Sequence, residues 1–246
     1  MQVSRLLLPP SQHGQGPIHT PIRSMAFDTH QELLWLGNDF GRVSSFYSSD
    51  LQPYTSFIAG DGPVCQVLFH DKGVIALTPT GVHMAMRRGP PLWHITNDDM
   101  KDLRCMSYTA RDTSEIIVAG GQSTMFIIDV EKGTVIRQVS TNDHYTLMKR
   151  CRYICAATTQ GSVNILDPNT FSIIKVWQAH SASISDMDAQ HDFIVTCGCS
   201  RRQQQTIYMN DTFVNVFNLK TLESFKPISF PSGAAYVVSV VYLQTF

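Results

Sequence analysis

The chain has 246 residues, of which 43% are hydrophobic and only 16% are charged, and its formal net charge is -1. The charged fraction lies below the roughly 25% that is typical of soluble domains, which favours a sheet-rich protein that buries much of its backbone. A net charge this close to zero excludes a strongly basic nucleic-acid-binding module.

Residues 1–20 are expected to form a flexible lead-in, because they are rich in Pro, Gln, Gly and His. The run of three leucines at Leu6–Leu8 ends at two prolines, so it is too short for a signal-peptide core or a membrane span. No later segment qualifies either.

Five units of short, β-branched and aromatic runs follow, separated by Gly, Asn, Asp and Pro turns, which is the pattern of hairpin-linked strands. They cover about Ile22–Ile58, Pro63–Ile95, Leu103–Val139, Tyr145–Trp177 and Ser183–Phe230. The fourth unit is the most complete. No stretch keeps a 3.6-residue period, so little helix is predicted.

A glycine turn recurs through these units at a nearly constant spacing. Gly41, Gly81 and Gly161 occupy it, and placing Ser123 in the intervening slot gives steps of 40, 42 and 38 residues. Four strands per unit and a period of roughly 40 to 45 residues are typical of WD repeats, which form β-propellers.

The strand after this turn ends at a turn-forming residue in three units: Ile128-Asp129, Leu166-Asp167 and Phe217-Asn218. A WD repeat has Trp-Asp there, so the aromatic residue is degenerate here. The retained Asp or Asn can accept a hydrogen bond from its own backbone two residues on, which stabilises a tight turn.

His180 lies in a loop, and Asp186 and Asp188 open the next unit. A catalytic interpretation is possible, but in WD-repeat blades a loop histidine commonly hydrogen-bonds an aspartate of the next blade. We therefore predict a structural pair between His180 and either Asp186 or Asp188, which fixes the fold without doing chemistry.

The six cysteines are Cys65, Cys105, Cys151, Cys155, Cys197 and Cys199. Without a secretory signal a disulfide framework is not expected. The spacings Cys151-x3-Cys155 and Cys197-x-Cys199 do not match the usual paired zinc spacing, so buried free thiols are the better interpretation.

The fifth unit carries surplus residues between Cys197 and Phe213, which indicates either a projecting contact segment or a tolerated surface insertion. Basic clusters could contact a partner or RNA phosphates, or could simply be solvated surface. The candidate contact residues are Arg87, Arg88, Arg150, Arg201 and Arg202.

Enzyme motifs are missing. The sequence has no phosphate-binding Gly-rich loop with a lysine, no His-Glu-x-x-His and no Gly-x-Ser-x-Gly. Its carboxylates sit mainly in turns, whereas a two-metal nuclease needs several that converge. No catalytic, cofactor-binding or metal-binding residue is predicted.

Several blocks closely resemble a known family. They include ELLWLGNDFGRVSSFYSSDLQPYTSF, FHDKGVIAL, VHMAMRRGPPLWHI and MKDLRCMSY. The resemblance runs from about Pro21 to Tyr236 and is to the N-terminal WD-repeat domain of the catalytic subunit of the poly(A)-nuclease deadenylase complex. Residues 21–236 are thus expected to form an incomplete all-β propeller, with about five blades and part of a sixth out of seven.

The resemblance implies a non-catalytic scaffold that contacts the pseudokinase regulatory subunit and poly(A)-binding protein on poly(A), in the cytoplasm including P-bodies. In that family a separate, metal-dependent domain performs the 3′-5′ shortening of mRNA poly(A) tails. Neither a membrane nor a small-molecule substrate is implied. The alternative is a general WD-repeat adaptor in another assembly.

Residues 237–246 read as an atypical apolar tail, where the family would continue into further blades. An open propeller leaves edge strands with unpaired backbone groups, and the tail adds an aggregation-prone segment. We therefore expect the chain to be a truncated product or a gene-model artefact.

Overall fold

A computed structural model describes residues 21–110, 113–198 and 213–229, and the backbone alone of 201–203 and 206–208. The chain divides into two compact units, one up to Leu103 and one from Arg104. Every regular element in the described ranges is a β-strand, as the absence of a helical period predicts.

The first unit contains two four-stranded antiparallel sheets, each formed by strands that are consecutive in the chain. Sheet 1 consists of β1 (Ile22–Asp28), β2 (Leu33–Asn38), β3 (Arg42–Tyr47) and β4 (Pro53–Ile58). Sheet 2 consists of β5 (Gln66–His70), β6 (Gly73–Thr78), β7 (Gly81–Ala85) and β8 (Pro91–Thr96).

The second unit contains three antiparallel sheets, two of four consecutive strands and one of five strands. Sheet 3 consists of β9 (Leu103–Tyr108), β10 (Glu115–Gly120), β11 (Thr124–Asp129) and β12 (Thr134–Ser140). Sheet 4 consists of β13 (Tyr145–Arg150), β14 (Ile154–Thr158), β15 (Ser162–Leu166) and β16 (Ile173–Gln178). Sheet 5 consists of β17 (Ile184–Gln190), β18 (Phe193–Gly198), β21 (Phe213–Asn218), β22 (Glu223–Ser224) and β23 (Ile228–Ser229).

The insertion in the fifth unit forms a hairpin of its own. Its strands are β19 (Arg201–Gln203) and β20 (Thr206–Tyr208), which pair with each other and not with sheet 5. The sequence shows the surplus length but not this pairing, because the run is polar and has no alternation that marks a buried face.

The recurrent turn glycines have a steric reason. Gly41 and Gly161 adopt φ values of +73° and +84°. A Cβ added to Gly41 would lie 1.8 Å from the Gly60 carbonyl oxygen, and one added to Gly161 would lie 2.4 Å from the His180 carbonyl oxygen. Only glycine allows the loop that follows the outer strand to approach this closely, so the predicted repeat marks a real packing contact.

The predicted Asp and Asn turns are confirmed. Asp167 Oδ1 accepts the backbone N–H of Asn169 at 2.9 Å, and Asn218 Oδ1 accepts that of Lys220 at 2.8 Å. Asp129 bonds one residue further on, to the N–H of Lys132 at 2.9 Å. These side chains hold the hairpin turns through local backbone bonds, as expected for Asx turns.

A second feature of the same hairpins is not visible in the sequence. One residue in each turn adopts a left-handed conformation and donates its N–H to the carbonyl four residues earlier: Leu51 (φ 59°), Gly133 (φ 63°), Phe171 (φ 61°) and Leu222 (φ 58°). Glycine is the usual residue at such a position. Three apolar side chains stand there instead, and Phe171 is only 6% exposed.

Within each unit the hydrophobic core lies in layers between neighbouring sheets. The layer of the first unit is centred on Trp35, Phe57 and Val67. In the second unit one layer joins sheets 3 and 4 around Tyr145 and Met148, and another joins sheets 4 and 5 around Trp177, Met187 and Phe217. Side chains from both faces of a sheet enter the core, so the central strands β6, β7, β14 and β15 are buried along their whole length.

Candidate functional site

His180 lies in the loop between β16 and β17 and is 4% exposed. Its Nε2 lies 2.9 Å from the Thr196 hydroxyl, and the Asn215 amide nitrogen lies 3.4 Å from the ring. The His180 backbone N–H donates to the Gly161 carbonyl at 2.9 Å. The imidazole therefore contacts the Thr196 and Asn215 side chains of sheet 5, and the His180 backbone fixes the loop on the Gly161 turn.

The two aspartates predicted as alternative partners of His180 lie on β17. Asp188 Oδ1 is 3.8 Å from Lys149 Nζ, and Asp186 Oδ1 accepts its neighbour's backbone N–H, that of Met187, at 2.9 Å. Lys149 thus competes for the Asp188 carboxylate. The pairing of His180 with either aspartate stays a prediction, whereas its contacts with Thr196 and Asn215 were not anticipated.

Sheet 4 contains a related polar network that sequence reasoning missed. Asn164 is 1% exposed, and its amide nitrogen donates to Asp143 Oδ2 at 2.7 Å and to the Tyr145 hydroxyl at 3.1 Å. Burial raises the pKa of Tyr145. The only sequence signal was that Asn164 and Asn215 occupy the same strand in consecutive units.

Arg87 is at the centre of a cluster of charged and polar groups, which we call the Arg87 corner. It is formed by Asp28, His70, Asp71 and Arg87. Arg87 Nε lies 2.5 Å from Asp28 Oδ2, and the two side chains are 10% and 0% exposed. Arg87 Nη1 donates to the carbonyls of His70 and Asp71 at 2.8 and 3.0 Å. The guanidinium is thus occupied within the protein, in contrast to a free contact residue.

His70 gives this corner a pH-dependent component. Burial lowers the pKa of His70, and the charges of Lys72 and Arg87 lower it further, against an opposing effect of Asp71. Its Nδ1 accepts the backbone N–H of Lys72 at 3.2 Å. The neutral ring is therefore the form that fits the corner.

The second cluster, the Arg150 corner, is formed by Thr109, Arg150, Cys151 and Tyr153. Arg150 Nε donates to the Thr109 carbonyl at 2.8 Å, and Nη1 donates to the carbonyls of Cys151 and Tyr153. In the described part of the chain these partners are backbone oxygens. Arg150 therefore ties the end of β13 to sheet 3 and to its own turn.

The structure confirms buried thiols at Cys105, Cys155 and Cys197, whereas Cys65 and Cys151 are partly exposed. Cys199 lies outside the described residues. Cys151 and Cys155 are neighbours in space, with their Sγ atoms 3.9 Å apart. Within the described ranges, no three His, Cys, Asp or Glu side chains are grouped as a metal site requires.

Arg88 is the predicted contact residue that the structure leaves exposed. Its carbonyl accepts the Thr55 hydroxyl at 3.3 Å, which fixes the backbone of the β7–β8 turn. Arg201 and Arg202 lie on β19 opposite Tyr208 and Ile207, and only their backbone is described. Of the five candidate cations, Arg87 and Arg150 are thus taken up by internal partners.

A shallow groove of about 370 Å³ opens between sheets 3 and 4 and includes Glu115, Arg137 and Phe171. Arg137 lies over the Phe171 ring, 5.0 Å from its centroid, and donates to the Thr170 carbonyl at 3.0 Å. Arg137 is therefore held in the groove by Phe171 and Thr170. No helix in the described residues is long and apolar enough to cross a membrane.

Four four-stranded sheets and one five-stranded sheet, all antiparallel and built from hairpins, define the class together with the glycine turns of sheets 1, 2 and 4. The chain is a WD-repeat β-propeller, as predicted. It superposes on the WD40 β-propeller domain of Doa1 with a TM-score of 0.70 and 16% identity, covering 89% of this chain and 71% of that one. At this identity the likeness shows the fold alone.

Comparison of the sequence with known families identifies the particular family. The family model described as PAN2 N-terminal matches residues 15–244, so the chain belongs to the PAN2 N-terminal family. It also superposes on the Neurospora crassa Pan2 WD40 domain with a TM-score of 0.81 and 48% identity, covering 86% of this chain and 66% of that one. The resemblance read from the sequence is confirmed.

Curated relatives agree with this assignment. The chain is 55% identical over 240 residues to the PAN2-PAN3 deadenylation complex catalytic subunit PAN2 of Chaetomium thermophilum, covering 96% of this chain and 20% of that protein. It is 51% identical over 242 residues to the subunit of the same name from Emericella nidulans, covering 97% and 20%. The chain therefore spans about one fifth of the length of these relatives.

Proposed function

We propose that this chain is the non-catalytic WD-repeat scaffold of a deadenylase catalytic subunit. The observation that carries the proposal is the 55% identity to a PAN2-PAN3 deadenylation complex catalytic subunit over 96% of this chain. In this proposal the chain binds a PAN3-type pseudokinase regulatory subunit, and it engages poly(A)-binding protein on poly(A) RNA. Its place of action is the cytoplasm, including P-bodies.

The polar clusters of the described residues support a scaffold role. His180, Asn164, Arg87 and Arg150 are each held by internal partners that stabilise turns or join sheets. A catalytic group must instead reach a substrate with a free donor, acceptor or nucleophile. We therefore assign shortening of poly(A) to the part of the curated relatives that this chain does not cover, and expect this chain to need no cofactor.

Capture of the regulatory subunit tests the proposal. The 246-residue chain is immobilised and incubated with a purified PAN3-type subunit, and the Doa1 WD40 domain serves as a fold-matched control with 16% identity. We expect retention on this chain but not on the control. Equal retention on both, or none on either, would overturn the proposal and leave a general WD-repeat adaptor.

A second experiment examines poly(A) engagement. The chain is mixed with poly(A) RNA that is either naked or coated with poly(A)-binding protein, in the presence of Mg²⁺. We expect capture of the coated RNA and no shortening of the tail. Shortening by the purified chain would contradict the assignment of catalysis to another part of the protein.

Arg88 supplies the test of a direct RNA contact, because its side chain is exposed beside the buried Arg87. We expect Arg88→Glu to weaken capture of coated poly(A) severalfold and to flatten its salt dependence. Lys101→Glu, at another exposed position, is the charge-matched control. Equal effects of the two variants would exclude a specific contact at Arg88 without touching the scaffold proposal.

A further inference from the structure

Cys151 and Cys155 form a thiol pair in the hairpin that joins β13 to β14. Their Sγ atoms are 3.9 Å apart, and both face the Tyr153 carbonyl oxygen, at 3.8 and 4.0 Å. Cys155 lies on a strand that is buried along its whole length, whereas Cys151 lies in the turn and is partly exposed. Cys151 packs against the core between sheets 4 and 5 but is partly exposed, so it is the member of the pair nearer to solvent.

The surroundings give the two sulfurs different chemistry. A hydrogen bond from Cys155 lowers the pKa of Cys151 to about 7, against the effect of burial, and nearby backbone N–H groups and the Arg150 charge add to the lowering. Burial raises the pKa of Cys155. The partly exposed Cys151 is thus about half thiolate at pH 7, which is the nucleophilic form, and the buried Cys155 stays a thiol.

We propose that Cys151 and Cys155 are an oxidisable dithiol, in which Cys151 is the attacking thiolate and Cys155 the resolving thiol, and that a hydroperoxide converts them to a disulfide. This inference does not depend on the deadenylase assignment, since it rests on two side chains within one hairpin.

The reaction balances in two steps. The Cys151 thiolate attacks one peroxide oxygen and breaks the O–O bond, which gives a sulfenic acid on Cys151 and hydroxide. The Cys155 sulfur then displaces hydroxide from the Cys151 sulfur, and its proton leaves with that hydroxide as water. The hydroxide of the first step takes up the proton that Cys151 lost on ionisation. Together the two thiols thus lose two electrons and two protons, and hydrogen peroxide is reduced to two water molecules.

Disulfide formation has to move the turn. A disulfide bond is about 2.05 Å long, so the sulfurs must close most of the present 3.9 Å. The strand that holds Cys155 is fixed in the core, and the movement therefore falls on the residues around Cys151. Arg150 and Arg152 flank Cys151 and contact the Thr109 carbonyl of sheet 3 and Asp192 of sheet 5. Oxidation should therefore loosen two contacts between sheets.

Peptide mapping gives a direct test. Trypsin cleaves after Arg150, Arg152 and Lys175, which places Cys151 and Cys155 on separate peptides. After the folded 246-residue chain is treated with a small excess of hydrogen peroxide and alkylated, we expect a disulfide-linked pair of these peptides that reductant abolishes. Mixed pairing with Cys65, Cys105 or Cys197, or no linked peptide, would overturn the proposal.

Separate variants of Cys151 and Cys155 distinguish the attacking thiol from the resolving thiol. Cys151→Ala should leave Cys155 unoxidised, whereas Cys155→Ser, which keeps a hydrogen-bond donor beside Cys151, should stop at a sulfenic acid on Cys151 that a dimedone probe traps. Cys65→Ala, at another partly exposed thiol, is the control and should form the linked peptide as before. A sulfenic acid of equal yield with and without Cys155 would show that Cys155 does not resolve it.

Alkylation kinetics examine the activated thiol on the unmodified chain. We expect iodoacetamide to react with Cys151 roughly tenfold faster at pH 7 than with a thiol of ordinary pKa, because about half rather than a few per cent of Cys151 is thiolate. A rate that still rises steeply up to pH 9 would contradict the assignment of Cys151 as the attacking thiol.

Discussion

The Arg87 corner and the Arg150 corner both join two neighbouring sheets through an arginine, but the partners of the two arginines carry different charges. Each arginine joins its own sheet to the preceding one, Arg87 through Asp28 at the end of β1 and Arg150 through the Thr109 carbonyl after β9. Arg87 meets a fully buried carboxylate, whereas the partners of Arg150 are backbone oxygens. The charge is therefore neutralised in one corner and remains available to polarise its surroundings in the other.

This difference decides what else each corner can do. Beside Arg87 lies His70, a base whose pKa is lowered by burial. Beside Arg150 lies Cys151, an acid whose pKa is lowered to about 7 by the hydrogen bond from Cys155 first, then by backbone N–H groups and last by the Arg150 charge. A neutralised pair is a structural device, and a partly compensated cation can also activate a thiol.

The largest effect is expected from splitting the buried ion pair. Arg87→Met leaves the Asp28 carboxylate buried without its cation, and removal of one partner from a buried pair typically costs about 3–5 kcal/mol of unfolding free energy. Urea denaturation measures the change, with the exposed neighbour Arg88→Met as the control. A cost below about 1 kcal/mol would show that water reaches Asp28 and that the pair is not truly buried.

A smaller loss is expected in the other corner. Arg150→Met removes charged hydrogen bonds to backbone carbonyls but leaves no buried charge behind, so we expect a loss of about 2 kcal/mol in the same assay. It should also slow alkylation of Cys151, since the guanidinium contributes to the lowered pKa. If Arg150→Met is as costly as Arg87→Met, the contrast between the corners is wrong.

The pH dependence of stability should differ between the corners. The folded-state pKa of His70 is lowered, so its contribution is present above the unfolded value of about 6.5 and is lost as the pH falls below it. We expect His70→Gln to flatten the stability curve on the acid side of pH 6.5. His144→Gln, at an exposed position, should leave the curve unchanged.

Cys151 contributes to the pH dependence of stability over a different pH range. Its pKa falls from 9.0 to about 7 on folding, so its contribution grows between pH 7 and pH 9, is complete above pH 9, and is lost as the pH falls through 7. Under reducing conditions, Cys151→Ala should remove this rise. Cys155, whose pKa is raised, lowers the free energy of unfolding as the pH rises above 9. An increase in stability between pH 7 and pH 9 that survives in Cys151→Ala would exclude Cys151 as its source.

The smallest effect is expected at the surface. Lys149 and Asp188 form an ion pair at 3.8 Å with side chains that are 46% and 27% exposed, and such pairs contribute about 0–1 kcal/mol. Lys149→Ala should therefore change the unfolding free energy by no more than about 0.5 kcal/mol. A larger loss would mean that Asp188 is part of a buried network, as the pairing with His180 predicts.

Much of the fold could be predicted because it rests on local rules. Alternating and apolar runs bounded by turn residues mark strands, and the spacing of Gly41, Gly81 and Gly161 marks the repeat. The side-chain sites were harder to predict, because a basic cluster such as Arg87-Arg88 does not indicate which side chain turns inward. The left-handed Leu51 and Phe171 were also hidden, since local propensity favours glycine there.

The sequence by itself determined the strands, the repeat, the WD-repeat class and the family, because backbone conformation and the burial of each strand follow from residue order. Only the tertiary structure decided which of two adjacent arginines is buried, which groups hold His180, and that Cys151 faces Cys155. Those outcomes depend on contacts between residues far apart in the chain, or on a turn whose geometry the neighbouring sheets fix. Asp28 and Arg87 are 59 positions apart, and their pairing exists only once sheets 1 and 2 have packed.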